Sequence, residues 1–325
     1  MKIKVLGNHS DETAKEREWR SGYVFTSNPS CADYDWLVVY DELPCDDRGT
    51  FHDGCEPLRC PKERTILLTW EPVSIKGYSR AYTRQFGHLL TNRPPEAENH
   101  PHYHLGRGYY QWFNGHALMD IGDLHPSKTR EISVVCSSKQ MRHSKHHARY
   151  CLVSEMAKAI PGLDWFGKGV RPIEKKYEAM DAYRYHVVIE NHVGVHHWTE
   201  KLADAFLSEC LPFYAGDPAI FEVFPRESLI PIPIDDPHEA IRIVREAIAS
   251  GEYEKRREAV REAKRLILEK YNFWDQVIAV IESASGQPVT PVNPMAPVRL
   301  FARKALRRHS VAAVLEDVWW HLRHV

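Results

Sequence analysis

Residues 185–206 read YHVVIENHVGVHHWTEKLADAF. A largely apolar run ends in Glu190 and Asn191, a histidine-rich loop follows, and a helix opens at about Thr199 on Glu200 and Lys201. A continuous apolar run suits a parallel strand buried on both faces. Beyond Thr199, Leu202, Ala205, Phe206 and Cys210 fall on one helical face, which packs on the sheet. In such sheets ligands bind beyond the carboxyl ends of the strands, where helix N-termini present unsatisfied N–H groups. An acid and an amide at the strand end, with an acid and a lysine at the helix start, read as walls of a crevice for a polar, phosphorylated ligand. Glu and Lys are also simply good helix residues, and that plainer reading stands beside it.

The same pattern extends in both directions. Upstream, IKVLG (3–7), WLVVYDEL (36–43) and TILLTW (65–70) read as strands of a first parallel sheet; FGHLLTNRP holds room for a short further one, and HYHLGRGYYQWFNG reads as loop. Gly, Pro and charge cluster in GDLHPSKTR (122–130), where we place a domain boundary. After it come ISVVCSS (132–138), a helix over 146–159 stopped by Pro161-Gly162, strands at LDWFG, YHVVIE, LPFYAG and LIPIPID, and helices over 238–249 and 253–270. Pro212 is read as the end of the helix that opens at Thr199. Strand and helix alternate, so the expectation is an α/β chain with doubly wound parallel sheets.

The chain has 325 residues, 43% of them hydrophobic, enough for two domains with their own cores. A formal net charge of −1 gives no overall pull toward nucleic acid. The apolar stretch at the N-terminus is far too short for a signal peptide or anchor, and no window reaches the roughly 18 apolar residues a bilayer span needs. Seven cysteines in no disulfide-like array fit a reducing compartment. The expectation is a cytoplasmic protein. Cys45, His52, Cys55 and Cys60, the HPHYH histidines (His100, His102, His104) and the HSKHH histidines (His143, His146, His147) invite a zinc reading. Their spacings lack a paired C-x-x-C and no acid or thiol lies beside the histidines, so solvated loop histidines are the better reading and no metal site is expected.

IENHVGVHHWTEKLADAFLSECLPFYAGDPAIFEVFPRESLIPIPIDD, beginning at Ile189, resembles the C-terminal signature of glycosyltransferase family 10, the α-1,3/1,4-fucosyltransferases. The shared order is E-N, a T-E-K helix start, an apolar proline-bearing strand, G-x-P, and a strand ending in paired acids. HHARYCLVSEMAKAIPGLDWFGKG is similar to the family's H-A-R helix, and TILLTWEPVSIKGY to the strand that opens its acceptor side. The resemblance, which is to bacterial members, implies a GT-B arrangement: two Rossmann-like domains facing a cleft, with a C-terminal helical tail. On this reading residues 1–125 form the acceptor-side domain, 126–285 the donor-binding domain, and 286–325 a proline-rich linker and basic tail.

The resemblance further implies GDP-fucose as donor, a GlcNAc-type glycan as acceptor, and no metal or other cofactor. It assigns Arg149 and Lys201 to the donor diphosphate, Glu200 to the ribose or sugar, Glu190 and Asn191 to the nucleotide region, and Glu71 to the catalytic base. That set suits inverting transfer, in which a carboxylate deprotonates the attacking hydroxyl and cations stabilise the departing diphosphate. Asp235-Asp236 precedes a proline and reads as loop. The sequence departs from the family at His192 (serine there), His197 (tyrosine there) and Trp198 (aliphatic there). His192, His197 and Ser138 are candidate lining of the donor pocket, and the departures open a second reading with another nucleotide-sugar. A non-catalytic glycan- or nucleotide-binding protein is the rival of a different class. The tail, with Arg299, Arg303, Lys304, Arg307, Arg308 and Trp319-Trp320, suits either peripheral contact with an anionic membrane through 298–325 or packing on its own protein.

Overall fold

The computed structural model describes residues 1–7, 16–44, 54–69, 71–73, 75–107, 114–116, 120–139, 145–293 and 295–324. The chain divides into two compact units: Met1–Gly106 with Gln276–Val325, and Arg107–Asp275.

Unit 1 contains β1 (Lys2–Gly7), β2 (Arg17–Glu18), β3 (Val24–Thr26), β4 (Trp36–Tyr40), β5 (Cys55–Pro57), β6 (Thr65–Thr69), α1 (Arg80–Thr83), β7 (His88–Thr91), α2 (Pro95–Glu98) and β8 (Tyr103–Leu105). Its sheet has the order β2-β3-β1-β4-β6-β7-β8, parallel throughout except for β2. The runs WLVVY and TILLT are buried at every position, as strands covered on both faces must be. β8 lies in the stretch read as loop. It was illegible because an edge strand of three residues carries no apolar run: Tyr103 and His104 are half-buried and Leu105 is exposed.

Unit 2 contains β9 (Arg130–Val135), α3 (His146–Ala159), β10 (Leu163–Phe166), β11 (Tyr183–Ile189), α4 (Glu200–Leu207), β12 (Leu211–Ala215), β13 (Ile230–Pro231), α5 (Pro237–Ala249) and α6 (Glu252–Glu269). Its sheet, β10-β9-β11-β12-β13, is wholly parallel. The chain builds from β9 outward to β10, then returns to the other side of β9 with β11, so the switch of direction falls between β9 and β11. α4 stops at Leu207, before Pro212, which lies inside β12; Cys210 is buried beyond the helix, its thiol donating to the carbonyls of Met180 and Tyr183.

The units part at Gly106/Arg107 rather than at 125/126. The reason is the bonding of the intervening segment. Asn114 N–H donates to Asp204 Oδ1 at 3.1 Å, Tyr177 N–H donates to Asn114 O at 3.1 Å, and Lys264 Nζ donates to Leu124 O, all within unit 2. At the other end, α7 (Phe273–Ser283) leads back to unit 1, and the tail is no free appendage. Residues 299–301 form β14, which pairs antiparallel with β5, followed by α8 (Arg303–Leu306) and α9 (Val311–His324). Leu300, Ala302, Ala305, Leu306 and Ala313 join Leu37, Val39, Leu67 and Tyr82 in one apolar cluster. Burying those side chains is what returns the tail to unit 1.

Candidate functional site

The candidate residues of unit 2 gather at the carboxyl ends of β9 and β11, where the strand order reverses. Thr199 caps α4 by accepting from Lys201 N–H at 3.4 Å, a good start for a helix whose next residue, Glu200, lies favourably at the positive end of the helix dipole. Glu190, at the end of β11, is fully buried. Its carboxylate accepts from Thr199 N–H at 2.9 Å and from the Thr199 hydroxyl at 2.6 Å, with Lys201 Nζ 3.5 Å away. Gly216, after β12, lets the backbone pass close by: a Cβ there would lie 2.7 Å from Glu190 Cγ and 2.2 Å from the Tyr214 hydroxyl.

Asn191 does for arginine what Glu190 does for lysine. Its Oδ1 accepts from Nη1 of Arg149, which projects from the first turn of α3. Arg149 is buried, and its Nε has no hydrogen-bond partner among the described residues. A buried donor in that state suits an anionic ligand. Two consecutive residues thus hold one cation each, at the N-termini of the helices that follow β9 and β11.

Glu200 sits between Lys201 Nζ at 3.1 Å and Lys176 Nζ at 3.6 Å. Burial opposes its ionisation, but the two ammonium groups hold its carboxyl down at about 2, so it is an acceptor at any physiological pH. Lys176 also meets the buried Asp204 at 2.6 Å. Burial raises Asp204 to about 6, against the pull of Lys176. No motif pointed to Lys176 or Asp204; Asp204, four residues after Glu200 on the same helix, was findable as a polar residue one turn on.

The departures from the expected signature resolve differently. The rings of His192 and His197 meet edge to face at 5.1 Å. Burial lowers the pKa of His192, which leaves it a neutral ring near pH 7. Trp198 is core: it is 2% exposed and packs against Phe224 and Tyr271. Ser138, beyond β9, is exposed and donates to the Lys168 carbonyl at 3.4 Å; among the described residues it makes no hydrogen bond to Arg149, Glu190 or Lys201. Asp236 caps α5 by accepting from Glu239 N–H at 3.0 Å, and Asp235 pairs with Lys145 at 3.3 Å. Asp236 thus serves as a helix cap, and Asp235 makes an exposed ion pair.

Glu71 belongs to unit 1, half-buried two residues beyond β6. Arg93, which sequence reasoning passed over, organises its loop. The guanidinium donates to Glu71 O from Nε at 2.9 Å and from Nη2 at 2.6 Å, also to Lys76 O, and pairs with Glu98 at 2.9 Å.

Among the described residues no group of three His, Cys, Asp or Glu is arranged to hold a metal ion. Cys45, His52 and His143 lie outside the described residues. Cys60 is buried, its thiol near Arg64 O, and His104 bonds His88 at 3.1 Å.

The architecture matches a known class. The chain is similar to the crystal structure of alpha1,3-fucosyltransferase, at 14% identity and a TM-score of 0.50 over 87% of this chain and 89% of the other. It is similar also to that of alpha1,3-fucosyltransferase with GDP-fucose, at 16% identity and a TM-score of 0.51 over 90% of this chain and 92% of the other. No protein-family model and no curated protein sequence matches it. The fold is that of the GT-B glycosyltransferases.

Proposed function

We propose that the protein is an inverting glycosyltransferase that moves fucose from GDP-fucose to a hydroxyl of a GlcNAc-type glycan. The observation that carries the reading is the pair of cations at the strand switch: Arg149 held by Asn191, and Lys201 held by Glu190. A diphosphate at two helix N-termini with two cations beside it is a stable arrangement on electrostatic grounds.

In this reading the acceptor oxygen attacks the anomeric carbon and passes its proton to Glu71. The bond from that carbon to the β-phosphate oxygen breaks, and its electron pair leaves with GDP. Arg149 and Lys201 stabilise the charge that grows on the β-phosphate, a contribution of several kcal/mol for preorganised donors in a water-poor site. Glu200, ionised and flanked by Lys176 and Lys201, accepts hydrogen bonds from ribose or sugar hydroxyls. The scheme needs no metal ion, since these side chains supply the positive charge.

A second reading keeps the reaction and changes the donor. It is favoured by the His192–His197 ring pair, which stands where the resemblance expects a serine and a tyrosine.

The test is calorimetry with a panel of nucleotide-sugars, alongside nucleotide release during turnover. We expect GDP-fucose to bind, Lys201→Ala to weaken it by about 10- to 100-fold, and Glu71→Gln to keep the affinity while turnover falls by about 10²- to 10⁴-fold. Binding of a different nucleotide-sugar replaces the donor. Binding of none overturns the transferase reading, and binding without turnover in the intact protein leaves a carrier.

A further inference from the structure

The inner side of α9 is tied to unit 1. Ala313 is 1% exposed, Trp320 Nε1 donates to Val73 O at 3.1 Å, Glu316 Oε2 accepts from Ala81 N–H at 3.2 Å, and Asp317 Oδ2 pairs with Arg307 Nε at 2.6 Å. These contacts employ both acids of the helix and fix which side turns away from the core.

That outer side is apolar. Val311, Leu315, Val318 and Leu322 recur at the spacing of one helical stripe, with Trp319 beside them, and all five are between 52% and 80% exposed. Large side chains left in water along one stripe mark a surface that something apolar covers.

The charge around the stripe selects the occupant. Lys304, in α8, and Arg308, in the turn between α8 and α9, are exposed and enter no ion pair among the described residues, whereas Arg307 is engaged by Asp317. A second copy meeting the stripe face to face would bring a second cationic fringe to the same interface, which costs energy. An anionic interface offers the complement to both features at once.

We propose that the outer face of α9 docks on an anionic lipid surface. Leu315, Trp319 and Leu322 enter the boundary between headgroups and acyl chains, and Lys304 and Arg308 lie at the level of the phosphates. Packing on the protein and contact with lipid are then not alternatives for this tail: one face of the helix does each.

The test is sedimentation of the intact chain with vesicles of phosphatidylcholine alone and of phosphatidylcholine mixed with phosphatidylglycerol. We expect at least about tenfold tighter binding to the mixed vesicles, reversed as salt rises and shortens the screening length. Leu315→Ser with Leu322→Ser should weaken binding by more than about tenfold while the melting midpoint stays put, because both side chains already face water. Lys304→Gln with Arg308→Gln should weaken it by roughly twentyfold.

The proposal is overturned if the intact chain binds neither vesicle, binds both equally at every salt concentration, or binds as well after the leucine changes. It is overturned too if equilibrium sedimentation shows a dimer that the leucine changes dissolve. No readout uses sugar transfer, so this proposal and the donor reading fail separately.

Discussion

The ammonium of Lys201 lies 3.5 Å from Oε2 of Glu190, a carboxylate with no solvent exposure. Burial pushes Glu190 upward and Lys201 opposes it, while Thr199 supplies two hydrogen bonds to the ionised form. A buried charge persists only when it is paired and hydrogen-bonded in this way. Thr199→Val removes the hydroxyl that both caps α4 and donates to Glu190. We expect a loss of about 2 to 3 kcal/mol in urea unfolding, with Thr199→Ser recovering most of it. An unchanged unfolding midpoint for the valine variant would show that the cap and carboxylate are not coupled.

Asp204, itself buried, pairs with the half-buried Lys176 at 2.6 Å. Asp204 is raised to about 6 from an ordinary 3.8, burial being the cause. Between those values the folded protein keeps a proton that the unfolded chain has released, so this group makes stability fall as pH rises through the window. Lys176→Met takes away the charge that restrains the shift. The variant should therefore lose about 2 to 3 kcal/mol relative to the parent at about pH 7.5, and distinctly less at about pH 5, where Asp204 is protonated in both. A difference in stability that does not vary with pH would refute the pairing.

Arg93 is 4% exposed and stacks on Tyr78, its guanidinium 4.5 Å from the ring centre, while its fork holds the Glu71 backbone. Lysine cannot reproduce the paired donors or the stacking. If Glu71 is the base, Arg93→Lys should leave the donor affinity alone and lower turnover by about 10- to 100-fold through misplacement of the carboxylate. A matching loss of donor affinity would instead place the effect outside the Glu71 loop.

What the sequence disclosed and what it hid follow from where each residue's information lies. β4, β6, β11 and β12 were legible because strands buried on both faces are apolar at nearly every position. Glu190, Asn191, Glu200 and Lys201 were legible because a strand end and a helix start are local features. Lys176, Arg93 and β8 were not, since each owes its role to partners distant in the chain: Asp204, the Glu71 carbonyl and β7. The boundary drawn at 125/126 failed for a similar reason. Gly and Pro mark turns, but the division of the units is set by where Asn114 and Leu124 find their hydrogen bonds. The tail's basic composition likewise concealed that Leu300, Ala305 and Leu306 complete the core of unit 1.

His88 bears on the acid limit of unit 1. It is 2% exposed, bonded to His104 at 3.1 Å, with the His102 ring centre 5.2 Å from its own. Burial, reinforced by His104 and His102, lowers it to about 4. Between 6.5 and 4 the unfolded chain binds a proton that the folded one refuses, so stability is full above about pH 6.5 and declines as pH falls. His88 alone accounts for on the order of 3 kcal/mol across that window. His88→Phe should flatten the decline in the melting temperature between about pH 7 and 4.5, even if it lowers the value at pH 7. An equally steep decline would acquit this histidine.

Gly77 tests the docking of α9 against unit 1. A Cβ on Gly77 would lie 2.5 Å from Cγ of Trp320 and 2.6 Å from its Cδ2, well inside contact distance. The ring cannot simply swing aside, because its Nε1 donates to Val73 O at 3.1 Å and the helix is fixed at Ala313 and Asp317. Gly77→Ala must therefore shift the helix or break that bond, at a cost of about 1 to 3 kcal/mol. The effect should be local: amide exchange across 311–324 should speed up while β4 and β6 stay protected, because a helix held by one face opens before the sheet beneath it. Combining Gly77→Ala with Trp320→Leu should recover part of the loss, since the smaller side chain makes room for the methyl at the expense of the indole hydrogen bond. Unchanged exchange in the single variant would mean that Trp320 does not rest on Gly77, and with that the orientation of the outer apolar stripe would fall as well.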